Sequence, residues 1–174
     1  MCQVLQPHLS VGKINSLLIF FCLIGLGLSI YTYVVELQLE HDARYKPMCD
    51  ISPHMSCSKA FTSEYGKGFG IFGKSSPLYK PNSLFGLMFY SMIATLAFSN
   101  SMFITKVSLV LIVLSNIISL WFAYVLYFIL FDFCIVCVST YIVNVFNFLL
   151  IQLKVKSLDI EQERSQQSRG VKRD

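Results

Sequence analysis

Apolar positions along the chain fall into four runs, over residues 14–35, 82–99, 105–130 and 132–153, separated by polar stretches of unequal length. A helix needs roughly 20 apolar residues to cross a bilayer. The tract 107–153 is too long for one crossing and suits two, and its single charged residue, Asp132, reads as the turn and as the N-cap of the last helix. The run at 14–35 exceeds a signal-peptide core and no small-residue cleavage site follows it, so it reads as a retained span. Pro81-Asn82-Ser83 opens the second run with a proline suited to a helix entry and a polar pair able to cap it. Ser99-Asn100-Ser101 is the break before the third. The pattern predicts an all-α integral membrane protein: a four-transmembrane-helix bundle with polar termini at 1–13 and 154–174, and a cap loop at 36–81 between helices 1 and 2.

Finer features refine this outline. Gly25 and Ser29, with Gly27 close by, give the first span a small-residue face for tight packing, and Asn116 and Ser119 read as hydrogen-bonding groups between helices. Within the cap, residues 65–73 alternate small and bulky side chains, which would dip Phe69, Ile71 and Phe72 into the bilayer interface; a flexible glycine loop fits the composition equally well. The charged tail after Leu153 is expected to be disordered beyond its first turns.

Composition supports the membrane class, with 55% hydrophobic and only 14% charged residues over 174 positions. The net charge of +4 belongs to topology and not to nucleic acid, because six of the fourteen Lys and Arg follow Leu153 and no aromatic-basic interleaving or phosphate-cradling loop is present. The termini and the short 2–3 connection carry eight basic residues and the cap six, which favours cytosolic termini.

The cysteines change the picture most. Of six, Cys49 and Cys57 form one pair in the cap and Cys134 and Cys137 another at the start of the last span, while Cys2 and Cys22 stand apart. Two close pairs suit exchange between pairs better than permanent stapling, and a cap disulfide would persist only on the oxidising, lumenal side. Thiols three apart at a helix start can form a disulfide, and the helix terminus stabilises a thiolate. Cys134, Cys137, Tyr141 and Asn144 share one helix face, and Asn82 lies at a similar depth, so that a greasy pocket with hydrogen-bonding groups could take the carbonyls of a lipid-soluble quinone. Electrons would run from an outside thiol partner through Cys49 and Cys57 to Cys134 and Cys137, with no bound cofactor and no metal. A zinc site is disfavoured by the seven residues between Cys49 and Cys57. His54 reads as a solvated loop residue.

Cys49-Asp50 with Cys57-Ser58, Tyr65-Gly-Lys-Gly-Phe-Gly70, Pro81-Asn-Ser-Leu-Phe-Gly86 and Asp132-Phe-Cys-Ile-Val-Cys137 with Thr140-Tyr141 together resemble the vitamin K epoxide reductases of animals and their like-1 paralogue. The resemblance covers about 14–153. It implies an endoplasmic reticulum enzyme, multi-pass with its active site near the lumenal face, that reduces vitamin K epoxide to the quinone and on to the hydroquinone. It further implies Cys137 as the substrate-side thiol, Cys134 as its partner and Cys57 and Cys49 as relay, with Asn82 and Tyr141 hydrogen-bonding the naphthoquinone and Phe61 packing on its ring. A lumenal thioredoxin-fold oxidoreductase would be the reductant and 4-hydroxycoumarins would be inhibitors. Tyr65, where the family commonly has tryptophan, and the short stretch between Gly73 and Asn82 depart from the pattern. Two other readings share parts of it. A quinone-dependent membrane thiol oxidase has the same cysteine arithmetic, whereas a claudin-like four-span protein would carry a tryptophan loop signature that is missing here, Trp121 being the only tryptophan.

Overall fold

The computed structural model describes residues 10–171 apart from 43, 53, 54 and 74, so Cys2 and His54 lie outside the described residues. The main elements are α1 (Val11–His41), α2 (Cys57–Thr62), α3 (Asn82–Ala97), α4 (Met102–Tyr124) and α5 (Ile135–Val171), with no strand among the described residues. Three helical stretches, Val11–His41, Met102–Ile129 and Ile135–Arg169, are long and apolar enough to cross a membrane. The fourth apolar helix, α3, has 16 residues. At 1.5 Å per residue it is about 24 Å long, against a hydrocarbon core of about 30 Å.

The lateral order of the long helices is α3, α1, α5, α4, with α1 packed against α3 and α5, and α5 against α4; α3 and α4 meet over less surface. Close approach of α1 to α3 depends on missing side chains. A Cβ on Gly25 would lie 2.4 Å from the Tyr90 ring, and one on Gly86 would lie 2.6 Å from the Ser29 hydroxyl. Gly27 has nothing within 4 Å, so the packed small face consists of Gly25 and Ser29 alone. The bundle core gathers Ile14, Leu18, Tyr90, Ile93, Ile112 and Ile151.

Three features differ from the sequence reading. The tail continues α5 as helix to Val171. Buried Lys154 helps anchor it by donating to the carbonyls of Ala97 (2.9 Å) and Ser99 (2.8 Å), the orphan acceptors at the end of α3. At the other end of α5, Asp132 lies two residues outside the helix-capping position. Its Oδ1 accepts from the adjacent Phe133 N–H, whereas the sulfur of Cys134 accepts the N–H of Cys137 at 3.4 Å. The extra distance arises because α4 ends in a π-helical turn, Val125–Ile129, and the chain then reverses through Phe131 at φ 49°. Finally, Asn82 and Ser83 do not cap α3, which begins on the Pro81 carbonyl, accepting from Leu84 N–H; both side chains are drawn to other segments.

Candidate functional site

The cap is built on Asp50. Its Oδ1 accepts the backbone N–H groups of Cys57 (2.6 Å) and Ser58 (3.0 Å) and the Ser56 hydroxyl (3.2 Å), and its Oδ2 accepts the Ser58 hydroxyl (2.6 Å). Ser56 caps the same helix by accepting from Lys59 N–H. Burial opposes charge on Asp50, but the hydrogen bonds from Ser58, Cys57 and Ser56 together outweigh it and hold the carboxyl below its ordinary value of 3.8. This carboxylate thus fixes the first turn of α2, where Cys57 stands. Cys49 and Cys57 are joined in a disulfide. The sulfurs and Asp50 are close enough to suit a cation, but the disulfide uses both sulfurs and the carboxylate is engaged.

Cys134 is fully buried, and its sulfur lies 3.6 Å from that of Cys57. Both sit in an apolar cluster with Val35, Phe61, Leu126 and Val136. Beside them, Lys59 of α2 and Asp132 of the α4–α5 turn form an ion pair at 3.4 Å, so the two cysteine-bearing segments are joined by charge as well as by packing. Cys134 and Cys137 are free thiols.

Cys137, in the first turn of α5, keeps its backbone N–H on the Cys134 sulfur and lines a cavity of about 380 Å3 bordered by α1, α3, α4, α5 and the cap. Phe61, Asn82 and Tyr141 line the same cavity. The structure therefore brings the substrate-side residues expected from the sequence to one cavity, with Cys134 close to Cys137 in sequence and in contact with Cys57, which is bonded to Cys49. The Asn82 amide is already engaged with the cap: Oδ1 accepts from Phe69 N–H (2.9 Å) and Nδ2 donates to the Tyr65 carbonyl (2.6 Å), which leaves one amide hydrogen for the cavity.

Phe69 does not dip into a bilayer interface. Consecutive left-handed residues, Gly68 (φ 57°), Phe69 (φ 58°) and Gly70 (φ 69°), turn its ring inward over the cavity, where it meets Phe85 at 4.8 Å and Phe122 at 6.1 Å between centroids. Trp121 donates its indole N–H to the Phe69 carbonyl at 3.3 Å. Ile71 and Phe72 remain exposed.

Two cavity groups, Glu36 and Tyr90, carry no sequence signal of their own. Glu36 of α1 is buried and accepts a hydrogen bond from the Ser83 hydroxyl. Deeper in the bundle, Tyr90 donates to Asn144 Oδ1 (2.8 Å), and Asn144 Nδ2 donates to Ser119 (2.8 Å). Asn116 donates to the Asn144 carbonyl at 3.1 Å, so Asn116 and Ser119 do link helices. Glu36 is hidden because it follows directly on an apolar run, where the first carboxylate reads as the start of a solvated loop. Tyr90 is one aromatic among many.

A helical protein with membrane-span-like helices, two neighbouring cysteine pairs and a greasy cavity has the make-up of a membrane oxidoreductase. Comparison with known proteins agrees and narrows it. The profile of the Vitamin K epoxide reductase family matches residues 16–151. "Vitamin K epoxide reductase complex subunit 1" of Mus musculus is 38% identical over 142 residues, covering 77% of this chain and 86% of the mouse protein. The Rattus norvegicus protein of the same name is 37% identical over 131 residues, covering 71% and 79%. The chain belongs to the vitamin K epoxide reductase family.

Proposed function

We propose that this protein reduces vitamin K 2,3-epoxide to the quinone and the quinone to the hydroquinone. The 3.6 Å approach of the Cys134 and Cys57 sulfurs, with Cys137 lining the cavity, carries this reading. Cys137 acts on the substrate and Cys134 closes a disulfide with it. Cys57 then attacks Cys134, Cys49 resolves Cys57, and a lumenal thioredoxin-fold protein or a small dithiol reduces the cap pair; each step is thiol–disulfide exchange. Asn82 and Tyr141 bind the substrate oxygens, and Phe61 packs against the ring. The same cavity receives 4-hydroxycoumarins.

In this reading α3 crosses the membrane as a fourth, shorter span, and a modest thinning of the bilayer accommodates it. Both termini are then cytosolic, and the cap and both cysteine pairs face the lumen of the endoplasmic reticulum, where a disulfide persists.

The test is turnover by purified protein. With dithiothreitol as reductant, vitamin K epoxide should yield quinone and then hydroquinone, and a coumarin should suppress both. Quinone-dependent oxidation of thiols without any epoxide turnover would overturn the proposal and identify a thiol oxidase.

A further inference from the structure

Reduction of a quinone consumes two protons as well as two electrons, and the cysteine pairs account directly for the electrons. Among the described cavity residues, Glu36 is a carboxyl group buried at 6% exposure. It sits on the last turns of α1, on the side of the cavity that faces the cap, and Ser83 at the start of α3 donates its hydroxyl to it. Asn82, proposed above to hold a substrate oxygen, is the residue next to Ser83. A carboxyl buried this fully is costly to keep charged and is expected to serve a function. We propose that Glu36 is the acid that delivers a proton to the substrate oxygen, with Ser83 orienting its carboxyl; this rests on the reading of the cavity as a quinone and epoxide site.

The step balances with the dithiol as sole reductant. The Cys137 thiolate adds to a ring carbon of the quinone. Cys134 then attacks the Cys137 sulfur, the carbon–sulfur bond breaks, and its electron pair passes into the ring while the two sulfurs join. The quinone has gained two electrons, and its oxygens take up two protons, one from the Glu36 carboxylic acid. The two protons released by the thiols restore that acid and supply the second oxygen. With the epoxide, the Cys137 thiolate adds to one ring carbon and opens its carbon–oxygen bond while the same acid protonates the oxygen. When Cys134 takes the Cys137 sulfur, the carbon–sulfur electron pair forms the ring double bond and expels the hydroxyl, which leaves as water with the second proton from the thiols. Lys67 of the cap, Glu40 one turn further along α1 and Cys137 of α5 are the titratable groups that act on Glu36, so the pH dependence belongs to this set. Lys67 and Glu40 are themselves an ion pair.

Glu36→Gln tests the role because it keeps the acceptor for Ser83 and removes the transferable proton. Turnover of both epoxide and quinone by the full-length protein should fall roughly 10²-fold, the usual worth of a general acid. The pH profile of kcat should lose one ionisation, while reduction of the Cys49–Cys57 disulfide by dithiothreitol keeps the wild-type rate. Glu36→Asp should recover part of kcat with a displaced pH profile. If Glu36→Gln stays within twofold of wild type with an unchanged pH profile, or if it slows disulfide reduction as much as turnover, Glu36 is structural and the proposal falls. Wild-type protein that reduces a naphthoquinone but not the epoxide would sink the epoxide reading and leave the Glu36 comparison readable on the quinone; wild type inactive on both would sink the two together.

Discussion

Asp50 shows how much one side chain can organise. A carboxylate that accepts two successive N–H groups at a helix start does the work of a cap and fixes the backbone that carries Cys57. Replacing it with alanine should cost roughly 0.5–2 kcal/mol of local stability, the usual worth of an N-cap. Faster hydrogen exchange at the Cys57 and Ser58 amides would register the loss; unchanged protection would show that the disulfide alone holds the turn. The sign of the pH effect follows from the lowered Asp50 carboxyl. A depressed folded value means the contribution is fully present above the unfolded value and is lost only as pH falls through the folded one. The α2 start should therefore keep its protection at pH 5 and lose it below the ordinary carboxylate range, near 3.8. Asp50→Asn should flatten that dependence. The residue-scale reading from sequence named both cysteine pairs, Asn82, Tyr141 and Phe61 through spacing and family motifs, and the structure sets Phe61, Asn82, Cys137 and Tyr141 around one cavity. It missed Asp50 as a cap, because the seven residues to Cys57 conceal a contact made only when the loop closes.

At the scale of elements, unbroken apolar runs mark the three helices that the structure shows to be long and apolar enough to cross a membrane, because length and composition alone define such a helix. Their ends were less legible. Asp132 looks like a cap in sequence, and only the π-helical turn of α4 moves the helix start beyond it to Cys134. The charged tail reads as disordered beyond its first turns, yet it continues a helix already nucleated in the bundle, and Lys154 reaches back to the end of α3. Helix packing gives a paired prediction. Gly25→Ala puts a methyl into the Tyr90 ring and should destabilise the bundle by about 1–3 kcal/mol, as overpacking does. Gly27→Ala, in open space, should be neutral or gain up to about 1 kcal/mol from helix propensity. Thermal unfolding in detergent separates them. Equal shifts would mean that α1 does not meet α3 through Gly25.

For the molecule as a whole, the decisive relation is between the cap and the mouth of α5, segments 77 residues apart in sequence at the two sulfurs. Spacing could place two cysteine pairs at one end of the bundle, but it could not show Asp50 and the Lys59–Asp132 pair aligning Cys57 with Cys134. The alignment makes a direct prediction about covalent connectivity. In Cys137→Ser protein, the Cys134 thiolate has no partner on its own helix and faces a disulfide sulfur at van der Waals distance. Attack on Cys57 forms the Cys57–Cys134 bond and releases Cys49 as a thiol, so electrons and sulfurs balance without an added oxidant. Alkylation under non-reducing conditions followed by peptide mapping should recover residues 57 and 134 joined and Cys49 modified. Exchanging the charges, Lys59→Asp with Asp132→Lys, should preserve this product, whereas Lys59→Asp alone should slow its formation by placing two carboxylates against each other. If mapping returns only the Cys49–Cys57 disulfide under every condition, the cap does not hand electrons to α5, and the two pairs work independently.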